Sequence, residues 1–289
     1  MRQGLILFPK STLGSGVNAF GWWREEAEAL GISLRQAFFE DLTLCYGASR
    51  RFFIGGAEAE LPDFVIMRGY AEEISMYFER AGIPVFNRWA AMNASHNKVL
   101  THSILSTNGI PTPETFFREE ALTYGEAATL AGGGTFVVKQ PDSSRGNNVF
   151  LVRNAEEYDY AVGKCGGKIL FQKYIASSHG RDLRVWTVGD RAAACVLRHS
   201  STSFLSNYSQ GGSAEAYDAP DEAMRLAASA AQAVGLDFAG VDLLFTEDGH
   251  FTVCEVNGNA GFRTLSATGG CNIIQIFMEY LASKVYGDK

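Results

Sequence analysis

Cysteine is scarce and its pattern is unpaired: five residues, at positions 45, 165, 195, 254 and 271, an odd number without a CxxC. That excludes a disulfide framework and a thiolate zinc site, and buried thiols fit a cytoplasmic protein. The five histidines (His96, His102, His179, His199, His250) lack metal-ligand spacing, and His102, among apolar positions, reads as a hydrogen-bonded core residue. No Ser-His-Asp or Cys-His motif marks a nucleophile and no GxxxxGK[ST] occurs, so the chemistry is expected to run between bound substrates. Positive charge is also short. A net charge of −7 argues against a nucleic-acid partner held by a broad basic field and leaves anionic ligands to local clusters. No apolar run approaches a membrane span, and the N-terminal one, Leu5 to Phe8, is too short for a signal peptide.

What is present is an ordinary globular composition, 46% hydrophobic and 20% charged, in 289 residues, a length that suits two or three cooperating domains. Strands are expected at 4–8, 32–37, 64–67 and 85–86, with helices over 17–31 and 72–80, an alternation that predicts a small open α/β domain. Gly14-Ser15-Gly16 after the first strand reads as turn chemistry, a lone GxG being weak. A helix over 95–106 and the extended IPTP segment follow. Strands are then expected at 115–117, 135–140, 149–152 and 168–172, with helices at 124–131 and 155–162. The remainder predicts strands at 183–188 and 191–198, a polar loop, a helix over 220–234, a hairpin and a closing helix over 273–284.

The hairpin, GVDLLFTEDGHFTVCEVNGNAGF, carries the strongest chemical signal. Glu255 and Asn257 are two apart on a strand and so share a face. Asp248-Gly249 predicts a two-residue turn flanked by Glu247 and His250, which sets Asp242 opposite Glu255. Two carboxylates and an amide then converge. They either hold a hard cation such as Mg²⁺ or form the solvated face of a surface hairpin.

Lys139 ends an apolar strand and is followed by a Gly/Ser loop able to fold over phosphates; a solvated hairpin lysine is the other reading. Lys98, early in a helix with Asn and Ser cap candidates, suits an anion or solvent. Asp182 and Arg184 share a strand face, and Arg198 and Asn207 add a guanidinium and an amide, suited to a phosphate or carboxylate or else simply exposed.

In this order the segments resemble the ATP-grasp superfamily, and within it the RimK-like amino-acid (alpha-L-glutamate) ligases. The resemblance covers residues 83 to 285 and is strongest at GVD, the acidic hairpin and E-V-N with its Gly-containing loop. It implies an ATP-grasp fold of α+β / α/β class: an N-terminal open α/β (pre-ATP-grasp) domain over 1–87, a central lobe over 88–175 and a C-terminal lobe with the metal site over 176–289. By position, Lys98 and Lys139 match the lysines that bind nucleotide phosphates. Gln172, Lys173, Tyr174 and Ile175 match the inter-lobe segment that lines the adenine pocket, and Asp182 and Arg184 the pair after it. Arg198 and Asn207 match polar positions facing phosphates and substrate, so that Arg184, Arg198 and Asn207 are the implied catalytic groups. Asp242, Glu255 and Asn257 match the metal ligands.

Two departures bear on substrate. Lys173 stands where a glutamate is common, so a contact there is expected through backbone. Leu205-Ser206-Asn207 and the Ser209 to Gly212 run lack two basic side chains, which weighs against the substrates of the ribosomal-protein glutamate ligase itself. Arg263 is a candidate substitute. The implied activity is ATP-dependent carboxylate–amine ligation through an acyl phosphate, with ATP and two Mg²⁺ ions, Mn²⁺ being an alternative. An amino acid such as glutamate would be joined to a carboxylate on a small molecule, peptide or carrier protein. A D-alanine-type dipeptide ligase, an ATP-grasp phosphotransferase and a non-catalytic ATP-binding regulator are the alternatives. No nucleic acid or membrane partner is expected, and a homo-oligomer is compatible.

Overall fold

The computed structural model of the protein describes residues 2–13, 19–143, 146–206 and 211–287, without the side chains of residues 263 and 267. The Gly14–Gly16 turn, Asn207 and the Arg263 side chain therefore lie outside what is described. Among the described residues no helix is long and apolar enough to cross a membrane.

β1 (Arg2–Phe8) buries four consecutive apolar side chains, Leu5 to Phe8, as a parallel strand covered on both faces must. It is followed by α1 (Ala19–Ala29) and β2 (Ile32–Phe38), a meander of β3 (Leu42–Cys45), β4 (Arg51–Ile54) and β5 (Ala57–Ala59), then β6 (Phe64–Met67), α2 (Glu72–Arg80) and β7 (Val85–Phe86). The parallel sheet has the order β2-β1-β6-β7. Gly4 permits the close pairing of β1 and β6, since a Cβ there would lie 2.3 Å from the Phe64 ring. The meander was not expected: its strands are three or four residues long and mostly half-exposed, too short for a clear alternation.

The single helix expected over 95–106 is two, α3 (Trp89–His96) and α4 (Lys98–Thr107). Asn97 leaves helical backbone (φ −94°, ψ 108°) and its side chain accepts from the N–H groups of Val99 and Leu100. Capping therefore wins over continuity and makes Lys98 the first residue of α4. β8 (Thr115–Arg118), α5 (Tyr124–Leu130), β9 (Phe136–Lys139), β10 (Val149–Val152), α6 (Ala155–Cys165) and β11 (Ile169–Lys173) form an antiparallel sheet of order β10-β9-β11-β8 with both helices against it. Phe136, Val138, Ile169 and Phe171 pack with the helices. Strand alternation sends Lys139 and Gln172 to the opposite face.

β12 (Arg181–Val188), β13 (Arg191–His199), β14 (Ser213–Ala216), α7 (Asp221–Val234), β15 (Phe238–Phe245), β16 (Phe251–Asn257), α8 (Arg263–Ala267) and α9 (Ile273–Tyr286) complete the chain. The antiparallel sheet has the order β14-β13-β12-β15-β16; β14 and α8 fall where only loop was expected. α7 covers one face through Ala227, Ala231 and Val234 against Leu183, Val185 and Val241. α9 covers part of the other, where Phe277 and Leu281 meet Trp186, Val188 and Phe238, and the same cluster takes in Ile6, Phe8 and Phe64 of the parallel sheet. Truncating Phe277, 1% exposed, would cost about 3–5 kcal/mol in such a core. Beyond α9 this second face turns polar, at Asp182, Arg184, Arg198 and Asp242.

Candidate active site

Asp242 does stand opposite Glu255 on β15 and β16, and Gly240 opposite Asn257. The route differs from the expected two-residue turn. Thr246 and His250 close the hairpin through Thr246 N–H to His250 O (2.9 Å), enclosing Glu247, Asp248 and Gly249, with Gly249 left-handed at φ 84°. A three-residue loop shifts the pairing by one: Phe245 faces Phe251 and Leu243 faces Val253. A bulge at Cys254 then restores the register before Asp242. The bulge also brings Cys254 to the cleft beside Glu255, where strict alternation would have hidden it.

Asp242 is not free. Its Oδ2 accepts from Arg184 Nη2 at 2.7 Å, its Oδ1 accepts from Arg184 Nε, and Arg198 Nη2 lies 2.9 Å from the same Oδ1. Arg198 also binds Asp182 with two parallel hydrogen bonds, of 2.7 and 2.5 Å. Burial alone would raise the Asp242 pKa, but Arg184 and then Arg198 outweigh it and hold the carboxyl below its ordinary range. Arg198 shows the converse: burial opposes its charge, while Asp182 and Asp242 raise its pKa above the usual value. Two guanidiniums and two carboxylates thus form an internally neutral box. The predicted catalytic arginines Arg184 and Arg198, the predicted nucleotide residue Asp182 and the predicted metal ligand Asp242 meet within it.

The uncompensated charge sits next to the box. Lys98 and Lys139 are 8% and 6% exposed and line one cleft with Asp242 and Glu255. Lys98 Nζ donates to Ser143 O and lies 3.9 Å from Glu255 Oε1. Burial lowers the Lys98 pKa, Glu255 opposes the shift, and the charge of Lys139 adds to it. Two buried ammonium groups against one cleft carboxylate outside the box, with the exposed Asp142 a weaker counter-charge, leave an excess positive charge, costly unless an anion arrives.

Lys139 is aimed by a chain of buried groups that sequence reasoning did not connect. Its Nζ donates to Gln172 Oε1 (2.8 Å), and Gln172 Nε2 faces Thr115 Oγ1 (2.7 Å) and His102 Nε2 (3.2 Å). Thr112 Oγ1 donates to Val253 O (2.9 Å), so it must accept the proton of His102 Nδ1 at 2.7 Å. That leaves Nε2 as the acceptor and makes the imidazole neutral; burial, then Lys139 and Lys98, push its pKa down to about 3. The expectation of a hydrogen-bonded core histidine holds, yet its chain ends on a cleft lysine.

Val137, Val149 and Leu244 give the cleft an apolar wall, with Lys173, Tyr174 and Ile175 on its rim. The Lys173 N–H is taken by Glu114 O (2.9 Å) and its side chain is exposed. Asn257 does not itself line the cleft; its Nδ2 donates to Gly240 O at 3.3 Å, and with no donor to its Oδ1 among the described residues that oxygen could serve a cation. Among the described residues no three His, Cys, Asp or Glu side chains cluster as a metal site. Two carboxylates and an amide suit a hard cation that takes its remaining oxygens from phosphate.

Comparison with known proteins follows the same lines. A family model described as a RimK-like ATP-grasp domain matches residues 95–281. Human "Beta-citrylglutamate synthase B" is 34% identical over 215 residues, 72% of this chain and 55% of that protein. A "Probable alpha-L-glutamate ligase" of Methanococcoides burtonii is 32% identical over 236 residues, 78% of each chain. This chain thus spans about half the length of the mammalian synthase B relatives it matches. The fold matches the ATP-grasp ligase PsnB, solved with a phosphomimetic variant of a minimal precursor, Mg and ADP, at a TM-score of 0.73 and 18% identity, covering 98% of this chain and 99% of that one.

Proposed function

Because the chain belongs to the RimK-like ATP-grasp family, we propose that it is an ATP-dependent carboxylate–amine ligase. The observation that carries this reading is the pair of buried ammonium groups, Lys98 and Lys139, in a cleft with too little negative charge of its own. Neither an apolar ligand nor a monoanion would use both. A polyphosphate would, with its base against Val137, Val149 and Leu244 near Tyr174 and Ile175.

Asp242, Glu255 and Asn257 fit a hard divalent cation by donor type and by register. When bound, Mg²⁺ there would neutralise phosphate charge; a second ion is the finer reading. The chain's own groups do the rest. Lys98 and Lys139 hold the phosphates, with Lys139 fixed through Gln172 and His102. Arg184, held on Asp242, is a guanidinium that could also serve a phosphate or carboxylate.

An acceptor carboxylate oxygen attacks the γ-phosphorus and the bond to ADP breaks, giving an acyl phosphate. A neutral amine then attacks the acyl carbon, phosphate leaves with the C–O electron pair, and the nitrogen loses a proton to give the amide. The protein supplies positioning and charge neutralisation without a covalent nucleophile. Glutamate in the names of the human and archaeal relatives supports it as the amine donor; the acceptor would be a carboxylate on a small molecule, peptide or carrier protein. The five free thiols fit a cytoplasmic site of action.

The test offers the protein Mg-ATP with pooled amino acids and carboxylates and searches by mass for condensation products formed together with ADP. An amide product supports ligation. A phosphorylated product without amide would make it a phosphotransferase, and no turnover with retained nucleotide binding would make it a regulator.

A further inference from the structure

The parallel sheet reverses its order at β1, which pairs with β2 on one side and β6 on the other. In open parallel sheets ligands bind beyond the carboxyl ends of two such strands. Arg68 is the first residue after β6. Its backbone N–H extends the ladder to Leu7 O at 2.9 Å. Its side chain crosses to the turn after β16, where Nη2 donates to Ala260 O at 2.8 Å. Ala260 packs closely over Gly240 beside Arg184, so Arg68 stands one residue away from the Arg184–Asp242 pair.

Arg68 is under-satisfied for its surroundings. Of the five N–H groups of a guanidinium, one has a protein acceptor among the described residues. Among the described residues no carboxylate pairs with it, and burial pushes its pKa down to about 10 against a smaller opposing effect of Tyr70. The rings of Trp23, Phe238 and Phe262 lie 5.6, 5.6 and 6.0 Å from the guanidinium carbon, near the limit of about 6 Å for a useful cation–π contact. A second donor in the same cluster, Trp23 Nε1, is buried and has no acceptor among the described residues.

We infer that Arg68 is the recognition group for a substrate carboxylate, one that is not itself phosphorylated, bound at the carboxyl ends of β1 and β6 against the turn that follows β16. This rests on the ligase reading for calling the anion a substrate. A forked guanidinium offers a carboxylate two parallel hydrogen bonds where the Ala260 carbonyl accepts one. The shared chemistry is the carboxylate, and its source is either the acceptor acid or the amine donor.

The test is direct binding to the full chain saturated with Mg-ADP, which allows no turnover. Trp22 and Trp23 pack on Phe262, so tryptophan emission serves as the readout while glutarate and L-glutamate are titrated separately. For wild type, saturable binding of at least one is expected. R68M should weaken it about tenfold or more and R68K by less, with the calorimetric affinity for Mg-ADP unchanged in both. Loss of glutarate binding identifies the acceptor acid and loss of L-glutamate binding the amine donor; either supports the assignment. It is overturned if wild type binds neither probe, if R68M binds both as wild type does, or if Mg-ADP affinity falls in step, which would make Arg68 a clamp on the turn. Failure of the ligase reading shows separately, as wild type that forms no ADP in response to a carboxylate and an amine.

Discussion

Arg184 and Asp242 are cross-strand partners on β12 and β15 whose side chains meet through two guanidinium nitrogens and both carboxylate oxygens. The cation that neutralises Asp242 here is therefore a side chain, and a metal ion would have to compete with it. Arg184→Met should destabilise the protein by about 1–3 kcal/mol. That is below the 3–5 kcal/mol typical of a fully orphaned buried charge, because Arg198 still reaches Asp242. The variant should also gain more thermal stability from added Mg²⁺ than wild type does. A melting series in MgCl₂ that shows equal gains for both proteins would refute the competition.

Glu255 tests the metal assignment from the other strand. It is half-buried, with Lys98 at 3.9 Å as its charged neighbour; removing it strips a carboxylate from beside that buried ammonium, a loss limited by the hydrogen bond Lys98 Nζ keeps to Ser143 O. Glu255→Ala should abolish Mg-ATP turnover while the unfolding midpoint stays within a few degrees of wild type. Undiminished ADP production would show that Glu255 holds no essential ion.

At Gly258 the turn after β16 has no spare room. A Cβ on Gly258 would come within 2.8 Å of Leu236 Cδ2, Met92 Sδ and Ser95 Oγ, and Asn87 Nδ2 also donates to Gly258 O at 2.8 Å. Gly258→Ala should cost about 1–3 kcal/mol through overpacking. Because the strain falls next to Asn257, the Mg²⁺ concentration for half-maximal turnover should rise as well. Denaturant unfolding and a Mg²⁺ titration of ADP formation check the two effects, and a stability loss with unchanged Mg²⁺ dependence would separate Asn257 from the ion.

Much of this was legible in the chain, for identifiable reasons. Glu255 and Asn257 share a face because a strand alternates, and Lys139 and Gln172 share another for the same reason. The Asp242–Glu255 pairing was anticipated through a wrong turn. Asp-Gly signals a reversal without fixing the loop length, and the Cys254 bulge cancelled the one-residue error. Bulges depend on packing across the whole sheet, which periodicity does not encode. The His102 chain was out of reach because α4, β8 and β11 supply its members and meet only in the folded state. Arg68 carried no motif at all; its position acquires meaning from the strand order.

His102 gives a prediction in pH. Its folded pKa is pushed down to about 3 from the ordinary 6.5, by burial first and by Lys139 and Lys98 after it. Between those values the unfolded chain binds a proton that the folded chain refuses, so stability must fall as the pH drops through this window. The slope for one such group is about 1.4 kcal/mol per pH unit. Above pH 6.5 both states hold the neutral ring and the contribution vanishes. His102→Gln removes the titrating group, so its stability profile between pH 6.5 and 4 should be shallower by about one proton. The same variant replaces a rigid ring acceptor by a flexible amide, so the Gln172 amide, and Lys139 with it, is held less firmly. Half-saturation by ATP at pH 7.5 should therefore rise several-fold while kcat changes little, since ground-state binding through Lys139 is what weakens. Urea unfolding at three pH values and steady-state kinetics check both halves. An unchanged pH slope would mean that the ring is already protonated in the folded protein, and an unchanged KM for ATP would mean that the chain stops at Gln172.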